Sequence, residues 1–139
     1  MIEVSMIPRE YVDECWKKVE GFVEKAAEYT FGRYDSSDIY ALVTDYDHQL
    51  WAAFDGQEFR GVVVTNVAVY PRKKMLVMQF CGGERLSEWK DQMLSLLKRY
   101  ARDLHCDGIE AVARPGWAKI FKDDGYQQNW VTVELPIGD

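Results

Sequence analysis

The sequence predicts an α/β fold in which a mixed, twisted sheet carries helices on both faces, all within one domain spanning residues 1–139. Three stretches carry that prediction. Met75-Leu76-Val77-Met78-Gln79-Phe80 is an almost continuous apolar run, short enough for a strand covered on both faces. From Leu86 to His105 the residues Trp89, Met93, Leu96, Leu97, Tyr100 and Leu104 recur at spacings of three and four. They mark one face of a helix on the order of 30 Å long. Between the run and the helix stands Cys81-Gly82-Gly83, which reads as a turn because paired glycines permit sharp bends and close backbone approach.

The remaining elements follow in order. Ile2 to Met6 is a short first strand ended by Pro8, and a helix runs from Pro8 to Tyr29 with Pro8 in its first turn. Its inner stripe is Val12, Cys15, Val19, Phe22 and Ala26. Thr30 to Asp35 is a loop, with Gly32 in the left-handed region at the helix end. Ser36 or Ser37 caps a second helix over Asp38–Tyr46. Leu50–Phe54 is a strand, Asp55-Gly56 a turn, and Phe59–Tyr70 a long strand rich in β-branched residues. With the run at 75–80 these strands form an antiparallel meander. Gly108–Ala113 is a strand emerging beyond the long helix. Pro115-Gly116 opens a short helix through Trp117, Ile120 and Phe121, closed at Gly125. Tyr126–Leu135 is a last strand that alternates Trp130, Thr132 and Glu134 against Val131, Val133 and Leu135. The order is β-α-α-β-β-β-α-β-α-β, with no repeat, linker or low-complexity segment.

Bulk composition excludes several function classes. The 139 residues are 47% hydrophobic and 14% aromatic, enough for one substantial core. A net charge of −6 argues against a partner bound through phosphate charge, whether nucleic acid or membrane surface. No apolar run approaches the length of a membrane span, and Met1-Ile2-Glu3-Val4 lacks the features of a signal peptide. Cys15, Cys81 and Cys106 are odd in number and unpatterned, so neither a disulfide framework nor a zinc site is expected, and a cytoplasmic protein is the simplest reading.

Several side chains could carry chemistry. Cys81 at a helix N-terminus would be a nucleophile if exposed and a small core residue if buried. Gln79 and Glu110 lie on strands; each reads as a site near a reacting group, or as an interior amide and a rim carboxylate. His48 reads as a general-base candidate or a solvated turn residue, and His105 as a base candidate or a cation at a helix C-terminus. Tyr70-Pro71-Arg72-Lys73-Lys74 is the one concentrated basic patch, in a hairpin turn. Trp51, Trp89, Trp117 and Trp130 are core candidates, with Trp117 also placed to line a cleft and meet a protein partner.

Gly32-Arg33-Tyr34, Leu50-Trp51-Ala52-Ala53, Tyr70-Pro71-Arg72-Lys73, Cys81-Gly82-Gly83 with Trp89, and Arg114-Pro115-Gly116-Trp117, taken with the element order, resemble the GNAT N-acetyltransferase superfamily. Within it they resemble the small GNAT-like proteins encoded by tailed phages and prophages. The resemblance covers almost the whole chain and implies acetyl-CoA as cofactor if the protein is active. It assigns the CoA pyrophosphate to Cys81, Gly82, Gly83, Arg85 and Ser87, where free N–H groups and a helix dipole would meet it. Gln79, Glu110 and Cys81 are its candidate catalytic residues.

Two departures from the pattern stand in the sequence. The family's Arg/Gln-x-x-Gly-x-Gly/Ala spacing is incomplete in Phe80-Cys81-Gly82-Gly83-Glu84-Arg85-Leu86-Ser87, and Glu84, Glu88 and Asp91 cluster there against Arg85. The tyrosine that protonates the departing thiolate falls on Phe121, and the asparagine opening the same helix falls on Arg114. The expectation is therefore a GNAT-fold protein with a degraded acetyl-CoA site, non-catalytic and working through protein partners such as virion components, in the host cytoplasm or the virion. The alternative is an acetyl-CoA-dependent N-acetyltransferase acting on a small amine.

Overall fold

The computed structural model describes residues 1–113 and 121–138. Eight elements run in the order β1 (Ile2–Ile7), α1 (Val12–Glu28), α2 (Ser36–Asp45), β2 (Gln49–Asp55), β3 (Glu58–Val69), β4 (Lys74–Gly83), α3 (Leu86–Asp103) and β5 (Gly108–Ala111). The strands form one sheet in sequential order, antiparallel from β1 to β4 and parallel between β4 and β5. α3 is the crossover between those parallel strands, a connection that needs a dozen or more residues.

Two cores divide the molecule by sheet face. On one face Val12, Val19 and Val23 of α1 and Ile39 and Val43 of α2 cover Leu50, Val62, Val64 and Phe80. On the other, Trp89, Met93, Leu97 and Ala101 of α3 cover Trp51, Ala53, Val63, Leu76 and Met78. The alternation along β2 and β3 is the period-2 geometry of a strand with both faces buried. The expected mixed sheet with helices on both faces is the fold observed.

Local differences have physical causes. Pro8 precedes a single 3₁₀ turn, Arg9–Tyr11, so α1 starts at Val12 rather than at the proline. Its buried stripe is Val12, Val19, Val23, Ala26 and Ala27, with Cys15 and Phe22 half-buried beside it. The helix ends at Tyr29, and Phe31 joins Gly32 in the left-handed region beyond it. The cap of α2 is Asp35, not Ser36 or Ser37. Its carboxylate accepts from the Asp38 N–H while the Asp38 carboxylate accepts from the Asp35 N–H, a reciprocal capping box.

β4 does not end at the glycines. Gly82 and Gly83 remain paired with Val62 and Gly61, so the turn into α3 is only Glu84-Arg85, with Arg85 left-handed at φ 53°. β5 stops at Ala111, short of Ala113. The helix opened by Pro115-Gly116 falls on 114–120, outside the described residues, as do Arg114 and Trp117. Beyond it, the Asp124 and Gly125 N–H groups donate to the Phe121 and Lys122 carbonyls. Tyr126–Leu135 is not a strand in this structure. The alternation is present, but among the described residues the segment joins no ladder, and Trp130, expected in the core, is exposed.

Candidate functional site

β4 and β5 are in register from Met75 opposite Gly108 to Met78 opposite Ala111, and the Val112 N–H still reaches the Met78 carbonyl at 3.0 Å. Past that point β4 continues against β3 alone among the described residues. A notch therefore opens beside Gln79–Gly83. In open α/β sheets such a split beside the carboxyl ends of parallel strands is where ligands settle.

A β-bulge sits at the split. Val64 pairs with Phe80 and Thr65 with Met78, leaving Gln79 as the extra residue. The inserted residue shifts the pleat, so Met78 faces α3 whereas Phe80 faces α1 and α2. The two sides of the notch consequently differ in chemistry.

On the α1/α2 side the bulge residue anchors a polar chain. The Gln79 amide donates to the Tyr34 hydroxyl (3.2 Å), and its carbonyl oxygen lies 3.0 Å from His48 Nε2. An amide oxygen can only accept, so the His48 proton sits on Nε2 and Nδ1 keeps its lone pair, buried and without a hydrogen-bond partner. Burial lowers the His48 pKa, opposed by the Gln79 bond and the Asp47 charge, which keeps the ring neutral near pH 7. Tyr34 is placed by its edge-on contact with Phe80 at 5.0 Å. The sequence offered Gln79 and His48 as base candidates, with an interior amide and a solvated turn as the blander readings, and connected neither to Tyr34. No periodic signal links positions in three separate segments.

The α3 side is apolar and nearly full. Val63, Met78, Cys81, Trp89, Phe121 and Tyr126 line a cavity of about 20 Å³, room for roughly one water. Phe121 and Tyr126 pack ring to ring at 4.8 Å, and the Tyr126 hydroxyl donates to Met78 Sδ at 3.3 Å. Burial pushes the Tyr126 phenol up to about 12. A hydroxyl does reach the notch, then, but from the residue after Gly125 rather than from position 121. Lys90 is held by both oxygens of Asp124 (2.9 and 3.0 Å), which ties the 121–126 segment to α3.

The expected pyrophosphate segment is built as a packing junction. A Cβ on Gly82 would lie 2.3 Å from the Phe22 carbonyl oxygen of α1. On Gly83, at φ 159°, it would lie 2.6 Å from Gly61 Cα and 2.7 Å from the Arg60 carbonyl oxygen. The glycines serve the close approach of a helix and a neighbouring strand. The Glu84 N–H donates to the Arg60 carbonyl at 2.8 Å, and the Glu84 carbonyl accepts from Trp89 Nε1 at 2.9 Å. Arg85 and Ser87 are exposed at the start of α3, whose N-cap carries no side-chain hydrogen bond.

Arg85 is not the nearest cation to the acidic cluster, as the linear sequence suggested. Arg60, from across the sheet, pairs with Glu84 at 3.3 Å and Glu58 at 3.1 Å, and Lys90 pairs with Asp91 at 3.3 Å. Glu110 accepts from the Tyr70 hydroxyl at 2.8 and 3.1 Å, a carboxylate occupied at the rim. The basic hairpin is likewise employed in the fold: Lys74 Nζ donates to the Leu104 carbonyl at the end of α3. His105 is exposed at that same end, at the C-terminus of α3. Among the described residues no group of three His, Cys, Asp or Glu could hold a metal, and no helix is long and apolar enough to cross a membrane.

No family model matches the chain, and no curated protein is similar to it at a significant level. Solved structures are similar over the whole length. A ribosomal-protein-alanine N-acetyltransferase from Brucella melitensis biovar Abortus 2308 superposes with a TM-score of 0.74 at 12% identity, covering 99% of this chain and 100% of that one. An aminoglycoside N-acetyltransferase in complex with CoA gives 0.72 at 10% identity, with 99% and 95% covered. A probable acetyltransferase gives 0.71 at 15% identity, with 99% of each chain covered. Identity at this level carries architecture and not chemistry, and the architecture is plain: the chain has the GNAT acetyltransferase fold.

Proposed function

We propose that this chain is a GNAT-fold protein that has given up acetyl transfer and works through protein contacts, as an assembly or interaction protein of the phage type its sequence resembles. The observation that carries this reading is the packing at Gly82 and Gly83. A Cβ at either position would run into the Phe22 carbonyl or the β3 backbone, so both glycines are used for the close packing of α1 and β3 on β4. The Glu84 N–H, a donor the pyrophosphate would need, is already bonded to Arg60. The residues present therefore do not fit the CoA pyrophosphate.

The proton donor supports the same reading. Phe121 has none, and Tyr126, at about 12, is a poor acid beside a thiol of pKa about 8.5. It could hold a hydrogen bond to a thiolate but would not deliver the proton efficiently. A virion or host-cytoplasmic setting follows from the phage resemblance and is part of the proposal.

One observation favours the alternative, an acetyl-CoA-dependent N-acetyltransferase of a small amine. The N-terminus of α3 carries no side-chain cap, which leaves its N–H groups for an anion. Titration calorimetry with acetyl-CoA decides between the two. We expect no binding tighter than millimolar and no CoA release with amine acceptors. Micromolar binding with turnover would establish the acyltransferase instead.

A further inference from the structure

On the α1 face of the sheet the fold leaves a second hollow, away from the notch. α1 lies over β3 and β4, and β1 turns Ile2 and Val4 toward α3 but Ile7 toward α1. The β2–β3 hairpin bounds the hollow on another side. There Ala53 pairs with Gly61 and Phe54 with Phe59, so Arg60 is an extra residue. The two phenyl rings meet at 6.0 Å, tilted by 54°. Between α1 and the hairpin lies an open groove of about 290 Å³, against about 20 Å³ for the cavity under α3. The two share no lining residue.

The lining divides by chemistry. Ile7, Phe54 and Phe59, all half-buried, make it apolar, with half-buried Cys15 beside them. Glu14 and Lys18, both exposed, add one charge of each sign. They stand one turn apart on α1, a spacing of about 5–6 Å between Cβ atoms. Among the described residues neither takes part in an ion pair. An apolar concavity with a few convergent polar groups is the usual make-up of a small-molecule site, and the volume is at the lower end of that class.

We propose that this groove binds a free α-amino acid with a large apolar side chain, an aromatic one above all. The side chain enters beside Ile7 and the Phe54–Phe59 pair, where a third ring can stack or meet an edge. The carboxylate and the ammonium, joined to one carbon, match Lys18 and Glu14 in sign and in closeness. A plain carboxylate would meet Glu14 with like charge, and a plain amine would meet Lys18 so. The zwitterion suits both. Because groove and notch have separate linings, the inference does not depend on whether the notch binds CoA.

The test is a nuclear magnetic resonance titration of the full chain with L-phenylalanine, read at the backbone amides of Cys15, Lys18 and Phe59. Saturable shifts centred there are expected, and bound ligand should slow alkylation of Cys15 but not of Cys81 or Cys106. Alanine should bind at least about tenfold more weakly, having no ring to bury. Phenylalanine amide and N-acetylphenylalanine each lack one charge and should bind about threefold more weakly, the worth of one exposed ion pair. Lys18→Gln should erase the difference between phenylalanine and its amide, and Glu14→Gln that between phenylalanine and its N-acetyl form. Both positions are exposed, so the fold is kept. No saturable shift up to about 10 mM phenylalanine overturns the proposal. So do shifts centred on Gln79 and His48, equal affinity for the charged and capped forms, or discrimination that survives both substitutions.

Discussion

The two sides of β4 beyond Met78 use adjacent residues for opposite purposes. Toward α3, Met78 and Cys81 join Trp89, Phe121 and Tyr126 around a cavity too small for more than a water. Toward α1 and α2, Gln79 holds a chain of hydrogen bonds from Tyr34 to His48 that leaves an imidazole nitrogen buried and unpartnered. One inserted residue separates them. The bulge at Gln79 turns the strand's pleat, so a polar group meets the side facing the α1–α2 loop while the apolar seal under α3 stays intact. One inserted residue thus gives the two faces of a single strand different chemistry.

Substitutions should separate those walls by size of effect. Leu97→Ala is expected to be the most damaging, because Leu97 is 0% exposed in the α3 face. Truncating a fully buried leucine costs about 2–5 kcal/mol, and chemical denaturation should show it with an unchanged m-value. A loss under about 0.5 kcal/mol would mean α3 does not seal that wall.

Gly82→Ala comes next. Its Cβ would meet the Phe22 carbonyl, a backbone atom that cannot swing aside, so a cost of about 1–3 kcal/mol is expected. A phosphate-cradle glycine predicts a different pattern, in which stability is kept and CoA affinity is lost. Measuring both on the same variant sharpens the comparison.

The polar wall should announce itself through pH. The folded-state pKa of His48 is depressed below its ordinary 6.5, so the unfolded chain binds a proton more readily than the folded one. Stability from this group is therefore full above pH 6.5 and declines as pH falls below it, levelling off below the folded-state pKa. His48→Gln should flatten that part of the curve, as followed by thermal melts across pH, and leave the alkaline side unchanged. An identical slope in the variant would place the titration elsewhere.

Glu84→Gln should do least. Glu84 is more than half exposed and its pair with Arg60 is a surface bridge, so the loss should stay below about 1 kcal/mol. Because Arg60 already offsets its charge, the substitution should not turn the chain into a CoA binder by calorimetry. Micromolar CoA binding by Glu84→Gln would show that charge, not packing, closes the junction.

Much of this was written locally in the chain. The period of Trp89, Met93 and Leu97, the β-branched run through β3 and the apolar run at 75–80 depend on neighbours three, four or two positions away, and they specified α3, the meander and the central strand. That residue 121 is a phenylalanine with no proton to give was legible too, whereas only the fold put the Tyr126 hydroxyl beside it. What the tertiary structure decided were meetings between distant segments. Gly82 and Gly83 have the composition of a turn, yet they pair with Val62 and Gly61 as part of β4, and the missing Cβ atoms admit Phe22 and the β3 backbone. Arg60 neutralises Glu84 across 24 positions, and Gln79 joins Tyr34, 45 positions away. Residues 126–135 mark the other limit. Their alternation determines a strand-like segment, but a strand exists only once an edge accepts it, and backbone hydrogen bonding between chain segments is a property of the folded assembly rather than of the sequence in that stretch.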